Sequence, residues 1–248
     1  MQELELLNIG LLAGIMSGFF GVGGGTITVP LLMAIGLDIR HAIGISSFQM
    51  VFTSIFGSYL NHKKSVFDIK SNIPFLFGGA IGGAFGGFLM SRSSPFWLTV
   101  IMMFFVFITA VKLFVSNPSP EGEKRGSAFI YVALGFAVGS LGGLIGIGGA
   151  LILTPILVGY LNFSLKEAIG VSLFFVISSS IFAFSSIYLS GFVDIRAGLL
   201  VAAPSLVGVA VGIYLAQKTT PQRHKLLLVI LYIIITAILA DKLYITNG

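Results

Sequence analysis

The chain has 248 residues, of which 56% are hydrophobic and only 9% charged, where an ordinary soluble domain carries about 25% charged residues. A soluble enzyme, a disordered tail and a nucleic-acid-binding domain are excluded, and the work of the protein is placed inside a lipid bilayer. The net charge of +5 comes from Lys and Arg in short loops, where it sets orientation; the absence of cysteine removes disulfides and thiolate metal sites.

The chain starts Met1-Gln2-Glu3-Leu4-Glu5, acidic where a leader's first region is basic, so no cleaved leader is expected. Apolar runs predict ten segments, at residues 4–20, 26–36, 42–60, 73–91, 96–115, 128–145, 150–161, 168–189, 197–216 and 224–244. Eight are long enough to cross a hydrocarbon core of about 30 Å, which takes about 20 helical residues. The segments at 26–36 and 150–161 are too short, follow glycine clusters and carry Pro30 and Pro155. They are expected as half-membrane helices. The polar stretch 117–127 begins Asn117-Pro118-Ser119-Pro120, which no helix interior tolerates, and it divides the chain into membrane repeats at 1–116 and 128–248.

The halves align. Gly21-Val22-Gly23-Gly24-Gly25 with Pro30 matches Gly146-Ile147-Gly148-Gly149-Ala150 with Pro155 at an offset of 125. Ala42-Ile43-Gly44-Ile45-Ser46 then matches Ala168-Ile169-Gly170-Val171-Ser172 at 126, and the register holds to Asp68-Ile69-Lys70 and Asp194-Ile195-Arg196. Basic residues discriminate between parallel and inverted copies. In the inverted arrangement one face holds Lys63, Lys64, Lys70, Lys112, Lys124, Arg125, Lys166, Lys218, Arg223 and Lys225, against Arg40, Arg92, Arg196 and Lys242 on the other. The parallel arrangement splits them almost evenly. The expected fold is therefore an all-α integral membrane protein of two inverted repeats, about five segments each, with a glycine-broken short helix in each and both termini outside.

Paired broken helices build midplane sites in many secondary transporters. At a break, backbone N–H groups lose their helical partners in a medium without water, and the start of each half-helix adds the positive end of its dipole. An anion is the natural ligand. Ser46, Ser47 and Gln49 cluster near the start of the third segment, with Ser172 as the repeat partner of Ser46; Leu173 and Phe175 replace Ser47 and Gln49 in the second copy. Gly78/Gly82/Gly86, Gly79/Gly83/Gly87, Gly10/Gly14/Gly18 and Gly208/Gly212 read as packing stripes, and Asp68 and Asp194 as helix caps. No Asp, Glu, Lys or Arg falls centrally in a span, so no proton carrier is evident, and His41, His62 and His224 are too dispersed for a metal site. No cofactor is expected.

With its two Gly-rich segments, each followed by proline and an Ala-x-Gly-x-Ser, the sequence resembles the sulfite exporter TauE/SafE family, also called the toluene sulfonate uptake permeases. The resemblance covers essentially the whole chain. It implies a bacterial or archaeal cytoplasmic-membrane carrier of sulfur-containing anions such as sulfite, sulfonates, sulfoacetate or thiosulfate, not an enzyme, with a homodimer as a candidate assembly. Combined with the residues, it places the anion between the breaks, held near Gly23, Gly24, Gly148 and Gly149 by amides and by Thr26, Ser46, Ser47, Gln49 and Ser172. An anion channel and a membrane assembly protein are the rival readings.

Overall fold

Helices form wherever the chain is apolar enough to leave its backbone no other partner than itself. The computed structural model describes residues 2–21, 23–62, 68–115 and 126–247; most of the expected linker, with Lys63, Lys64, Lys124 and Arg125, lies outside them. The described residues form α1 (Gln2–Phe20), α2 (Gly25–Ala34), α3 (Ile39–His62), α4 (Ile69–Arg92), α5 (Pro95–Val115), α6 (Ala128–Ile145), α7 (Ala150–Gly159), α8 (Leu165–Leu189), α9 (Ile195–Lys218) and α10 (Pro221–Asn247), and no strand. Seven of them, α1, α3, α4, α6, α8, α9 and α10, are long and apolar enough to cross a membrane among the described residues. The two short helices α2 and α7 have 10 residues each, about 15 Å of rise, or half a crossing.

The ends are set by local chemistry. Asp68 accepts from the Lys70 and Ser71 amides and Asp194 from the Ala197 amide, which opens α4 and α9 as expected. Ser164 and Glu167 form a reciprocal capping box at α8. Hydrogen bonds from Ser71 and Lys70 hold the exposed Asp68 carboxyl below the usual carboxylate range. A depressed folded-state value means its stabilisation is present above the unfolded value and disappears as pH falls through the folded one. Asp68→Asn, which keeps an acceptor, is expected to flatten that acid limb in a thermal-unfolding series across pH.

The outer surface is greasy and the inside is not wholly so. Phe77, Phe107, Leu226 and Ile233 are exposed, whereas Thr26, Ser46, Ser47, Gln49 and Ser172 are buried. This is the reverse of a water-soluble fold and suits a shell of acyl chains.

Glycine stripes bring helices together backbone to backbone, and the order of their contacts gives helix directions. Gly10, Gly14 and Gly18 of α1 lie against the backbone of Val201, Ser205 and Val209 of α9, in rising order, so the two run parallel. On α4, Gly78, Gly82 and Gly86 meet Val132, Phe136 and Ser140 of α6, while Gly79, Gly83 and Gly87 meet Phe175, Ser179 and Ala183 of α8. Each track thus serves a different neighbour, and α4, α6 and α8 are parallel. From α3, Phe48 meets Gly198 of α9 and Phe184 of α8, whereas Gly57 meets Val209 and Leu173. Numbers rise together for α9 and oppositely for α8. Hence α1, α3 and α9 point one way and α4, α6 and α8 the other. Corresponding helices of the two copies, α1 and α6, α3 and α8, α4 and α9, are antiparallel.

The packing also exchanges between copies. α1 against α9 has its counterpart in α6 against α4, α3 against α9 in α8 against α4, and α2 against α10 in α7 against α5. At Gly83 a Cβ would strike the Ser179 carbonyl, whereas at Gly159 it would meet nothing within 4 Å. Gly83→Leu is expected to lower stability by about 3 kcal/mol or more, the upper end for overpacking because a backbone cannot step aside. Gly159→Ala is expected to be neutral or slightly stabilising; equal melting temperatures for the two variants would refute the assigned contacts.

Candidate functional site

The two breaks lie inside the bundle. Gly18 sits level with Val209, yet α9 runs on to Lys218, about 14 Å further at 1.5 Å per residue. Gly21, Gly23, Gly24 and Gly25, and all of 146–149, are buried. Positive φ at Gly21 (67°) and Gly23 (71°) recurs at their counterparts Gly146 (70°) and Gly148 (67°), a conformation that L side chains rarely adopt. The copies part at the next residue, where Gly24 is right-handed at φ −56° and Gly149 left-handed at φ 85°.

The breaks face each other across the duplication. Gly21 packs on Ile169, and its counterpart Gly146 packs on Ile43, the counterpart of Ile169. Gly25 comes up against the Gly146 carbonyl, and a Cβ at Gly23 would be 3.3 Å from the Ile147 carbonyl oxygen. Carbonyls freed by the second break are re-satisfied by hydroxyls from long helices. Ser46 Oγ donates to the Gly146 oxygen and Ser179 Oγ to the Gly148 oxygen, each at 2.9 Å.

Three expected side chains are left over. Thr26 Oγ1, Ser47 Oγ and Gln49 Nε2 are buried with no hydrogen-bond partner, and all three residues are 0% exposed. Leaving such an atom unpaired costs about 1–3 kcal/mol, so native folds keep few of them. Gln49 lies over Gly24, where α2 begins. Thr28 Oγ1 is 2.9 Å from both Gln49 Oε1 and the Gly24 carbonyl and shares its one proton between them. Both atoms of the Gln49 amide lie against Gly24; Oε1 accepts from Thr28 and Nε2 keeps its donors unused.

Other expected residues are engaged. The Gly148 N–H donates back to the Gly142 carbonyl at 3.4 Å, so this amide is tied into the end of α6. Ser172 Oγ accepts from Thr154 Oγ1 at 2.9 Å. Thr28 and Thr154 are neighbours that the sequence does not single out, beyond the hint of paired hydroxyls Thr26 and Thr28 on α2; Ser179 belongs to the run 178–180, for which the sequence leaves pathway lining and backbone bonding equally open. Ser178 and Ser180 bond to their own helix. Asn72 Oδ1 is a further buried, unpartnered atom, one turn from the α4 cap. Among the residues whose side-chain burial is described, no Asp, Glu, Lys, Arg or His is buried.

The two ends of the bundle differ. Where α1, α3 and α9 begin, a cavity of about 400 Å³ is lined by Glu3, Asp38, His41, Asp194 and Arg196 and reaches Ile45, beside Ser46. Arg196 pairs with Glu3 at 2.6 Å, and Arg40 donates to the Ser93 carbonyl. At the opposite end Phe75 stacks on Tyr131 at 4.4 Å, and Tyr131 meets Phe163.

Crossing helices wrapped around a buried polar cluster and two broken half-helices define a multi-pass membrane transporter. The chain belongs to the sulfite exporter TauE/SafE family, whose model matches residues 6–239. It is 26% identical to "Probable membrane transporter protein YunE" of Bacillus subtilis over 98% of both chains. It is 30% identical to "Probable membrane transporter protein YdhB" of the same organism, over 88% of this chain and 90% of that one. A third relative, "Probable membrane transporter protein MJ0441" of Methanocaldococcus jannaschii, is 26% identical over 90% of both. No solved structure gives a significant match.

Proposed function

We propose that the protein is a secondary carrier exporting small sulfur-containing anions, of the sulfite, sulfonate, sulfoacetate or thiosulfate type, by alternating access. The observation that carries this reading is the trio Thr26 Oγ1, Ser47 Oγ and Gln49 Nε2, buried without partners beside the start of α2. A sulfur oxyanion presents several acceptors, and bonds to a charged group are about twice as strong as neutral ones. Gly23, Gly24, Gly149 and the starts of α2 and α7 complete the cradle, with Ser46, Ser172 and Gly148 bracing it.

The antiparallel course of corresponding helices supports repeats inverted across the bilayer. Loops joining α3 to α4 and α5 to α6, with the start of α10, then share the basic face, which becomes cytoplasmic; both termini lie outside, and the membrane is the cytoplasmic one of a bacterium or archaeon. The cavity ending at Ile45 serves as the outer vestibule and the Phe75–Tyr131–Phe163 cluster as the inner seal. Breaks that touch backbone to backbone suit an occluded carrier better than an open channel.

The test is thermal unfolding of the purified chain with sulfite, thiosulfate, sulfoacetate, taurine and sulfate. A ligand at about 100 times its Kd adds about 2.7 kcal/mol of stability. At least one of these anions is expected to raise the melting temperature, and saturable uptake into liposomes should follow the same order. No stabilisation by any of them would reject the anion site, and unitary currents in a planar bilayer would replace the carrier with a channel.

A further inference from the structure

We infer that α3, the helix carrying Ser46, Ser47 and Gln49, is the moving part of the carrier, swinging about a pivot at Ile43 and Gly44 so that its inner end opens and closes the site. The inference rests on the alternating-access reading and names the element that alternates.

The helices on either side of α3 are joined backbone to backbone. Gly10, Gly14 and Gly18 bring α1 onto α9, and Gly208 and Gly212 return the contact against the Leu11 and Ile15 carbonyls. On α4, Gly78, Gly82 and Gly86 do the same for α6, while Gly83 and Gly87 meet the Ser179 and Ala183 carbonyls of α8. Small residues allow this approach, and main-chain atoms in contact leave no side chain to yield. α1 with α9 is thus one rigid pair, and α4 with α6 and α8 one rigid trio.

The duplication predicts that α3 docks on α9 as α8 docks on α4, and there the copies part. The α9 positions matching Gly79, Gly83 and Gly87 are Ser205, Val209 and Ile213. Side chains therefore fill this seam. A Cβ at Gly57 would stand 3.6 Å from both Val209 Cγ1 and Leu173 Cδ1, ordinary contact, and Gly198 is covered by the Phe48 ring. Among the described contacts that glycines make with α3, close backbone approach falls at its outer end. Gly44 abuts the Phe192 carbonyl, and Ile43 Cα lies 3.1 Å from where a Cβ on Gly146 would stand. The Arg40 guanidinium and the His41 ring pack on the Phe192 ring beside them.

Side-chain seams slide where backbone seams hold, as in shear between packed helices. Gly57 lies about 20 Å along the axis from the pivot at 1.5 Å per residue, so a small rotation there moves the inner end far and Ser46 little. Ser47 and Gln49 travel with α3, whereas Thr26 stays on α2. A bound anion bridges the two and favours the closed position; its release follows the swing. The opening lies beside the Phe75–Tyr131–Phe163 seal, on the face from which an exporter loads.

The full-length chain has no cysteine, so introduced thiols can be joined selectively with a bis-bromomethyl reagent whose thioether bridges survive sulfite. Gly57→Cys with Val209→Cys ties α3 to α9 at the inner end, at a glycine with room for a side chain. Phe85→Cys with Phe136→Cys ties α4 to α6 at two exposed, stacked rings within the trio. Uptake of sulfite, sulfoacetate and thiosulfate into liposomes is measured before and after linking. The first link is expected to slow uptake at least about tenfold and the second less than about twofold, as for locking a gating element against locking a rigid body. If the first pair does not fold, Gly57→Cys with Leu173→Cys ties α3 to α8 at the same level and is read in the same way.

Undiminished uptake with α3 linked, or equal arrest by the control link, overturns a moving α3 and leaves the anion site standing. Failure of the unmodified chain to take up any of the three anions, or to be stabilised by them, overturns the carrier reading and the inference with it.

Discussion

Replacing Gln49 with leucine is expected to make the protein more stable and to abolish anion transport. The two effects have one origin. Gln49 Nε2 is buried without a partner, so the empty fold bears the desolvation of its N–H groups, set against only the share of the Thr28 proton that Oε1 accepts. Leucine fills a similar volume without that burden, and Thr28 keeps its bond to the Gly24 carbonyl. A gain of about 1 kcal/mol is the expected size for removing an unsatisfied buried donor. The bound anion loses its Nε2 hydrogen bonds, each worth about 1.5–3 kcal/mol with a charged acceptor. Two such bonds make transport at least about 100-fold slower at subsaturating anion. Ordinary core glutamines behave differently, since losing a satisfied amide lowers stability and leaves a distant activity intact. A Gln49→Leu protein that melts earlier and still transports in liposomes would remove Gln49 from the site. Ser47→Ala should show the same opposed signs on a smaller scale, whereas Ser46→Ala should lose stability because it strands the Gly146 carbonyl.

That contrast between Ser46 and Ser47 marks how far the sequence could be read. Crossing helices were legible because lipid demands about 20 apolar residues per span, and both breaks because a glycine cluster and a proline interrupt the pattern twice at one offset. Helix starts were less visible. α3 and α8 begin at Ile39 and Leu165, ahead of their apolar runs, because polar first turns at a wet, capped end carry no hydropathy signal. The glycine stripes announced close packing, yet that Gly78 faces α6 and Gly79 faces α8 depends on chain brought from far away. Thr26, Ser47 and Gln49 stood out as polar residues in apolar surroundings. Their neighbours Ser46 and Ser172 had the stronger repeat signal, and the structure ties Ser46 to a carbonyl and Ser172 to Thr154. Repetition marked the scaffold of the breaks, while the departures from repetition at Ser47 and Gln49 fall on buried groups that the fold leaves without partners.

The same asymmetry governs the position where the copies meet. Gly25→Ala is expected to be among the most damaging single-methyl additions in this protein, and Ala150→Gly, the corresponding exchange in the second copy, to be mild. A Cβ at Gly25 would be driven into the Gly146 carbonyl, with Ser46 Oγ at 2.8 Å. Both obstacles are fixed, the carbonyl by the left-handed turn at Gly146 and the hydroxyl by its bond to that same oxygen. At Ala150 the methyl has room, 3.8 Å from where a Cβ on Gly23 would stand. The difference follows from Gly24 and Gly149, whose opposite φ signs aim the two half-helices differently although both residues are glycine. Separating the breaks by the width of a methyl group displaces Gly24 from Gln49 and opens the Ser46 bond, so stability and transport should fall together. A loss of about 3 kcal/mol or more is expected for Gly25→Ala, at the top of the overpacking range. About 1 kcal/mol is expected for Ala150→Gly, the helix-propensity difference alone. Thermal unfolding of the two variants measures this directly. Equal losses would mean that the breaks do not touch at Gly25 and Gly146, and the cradle built on that contact would have to be redrawn.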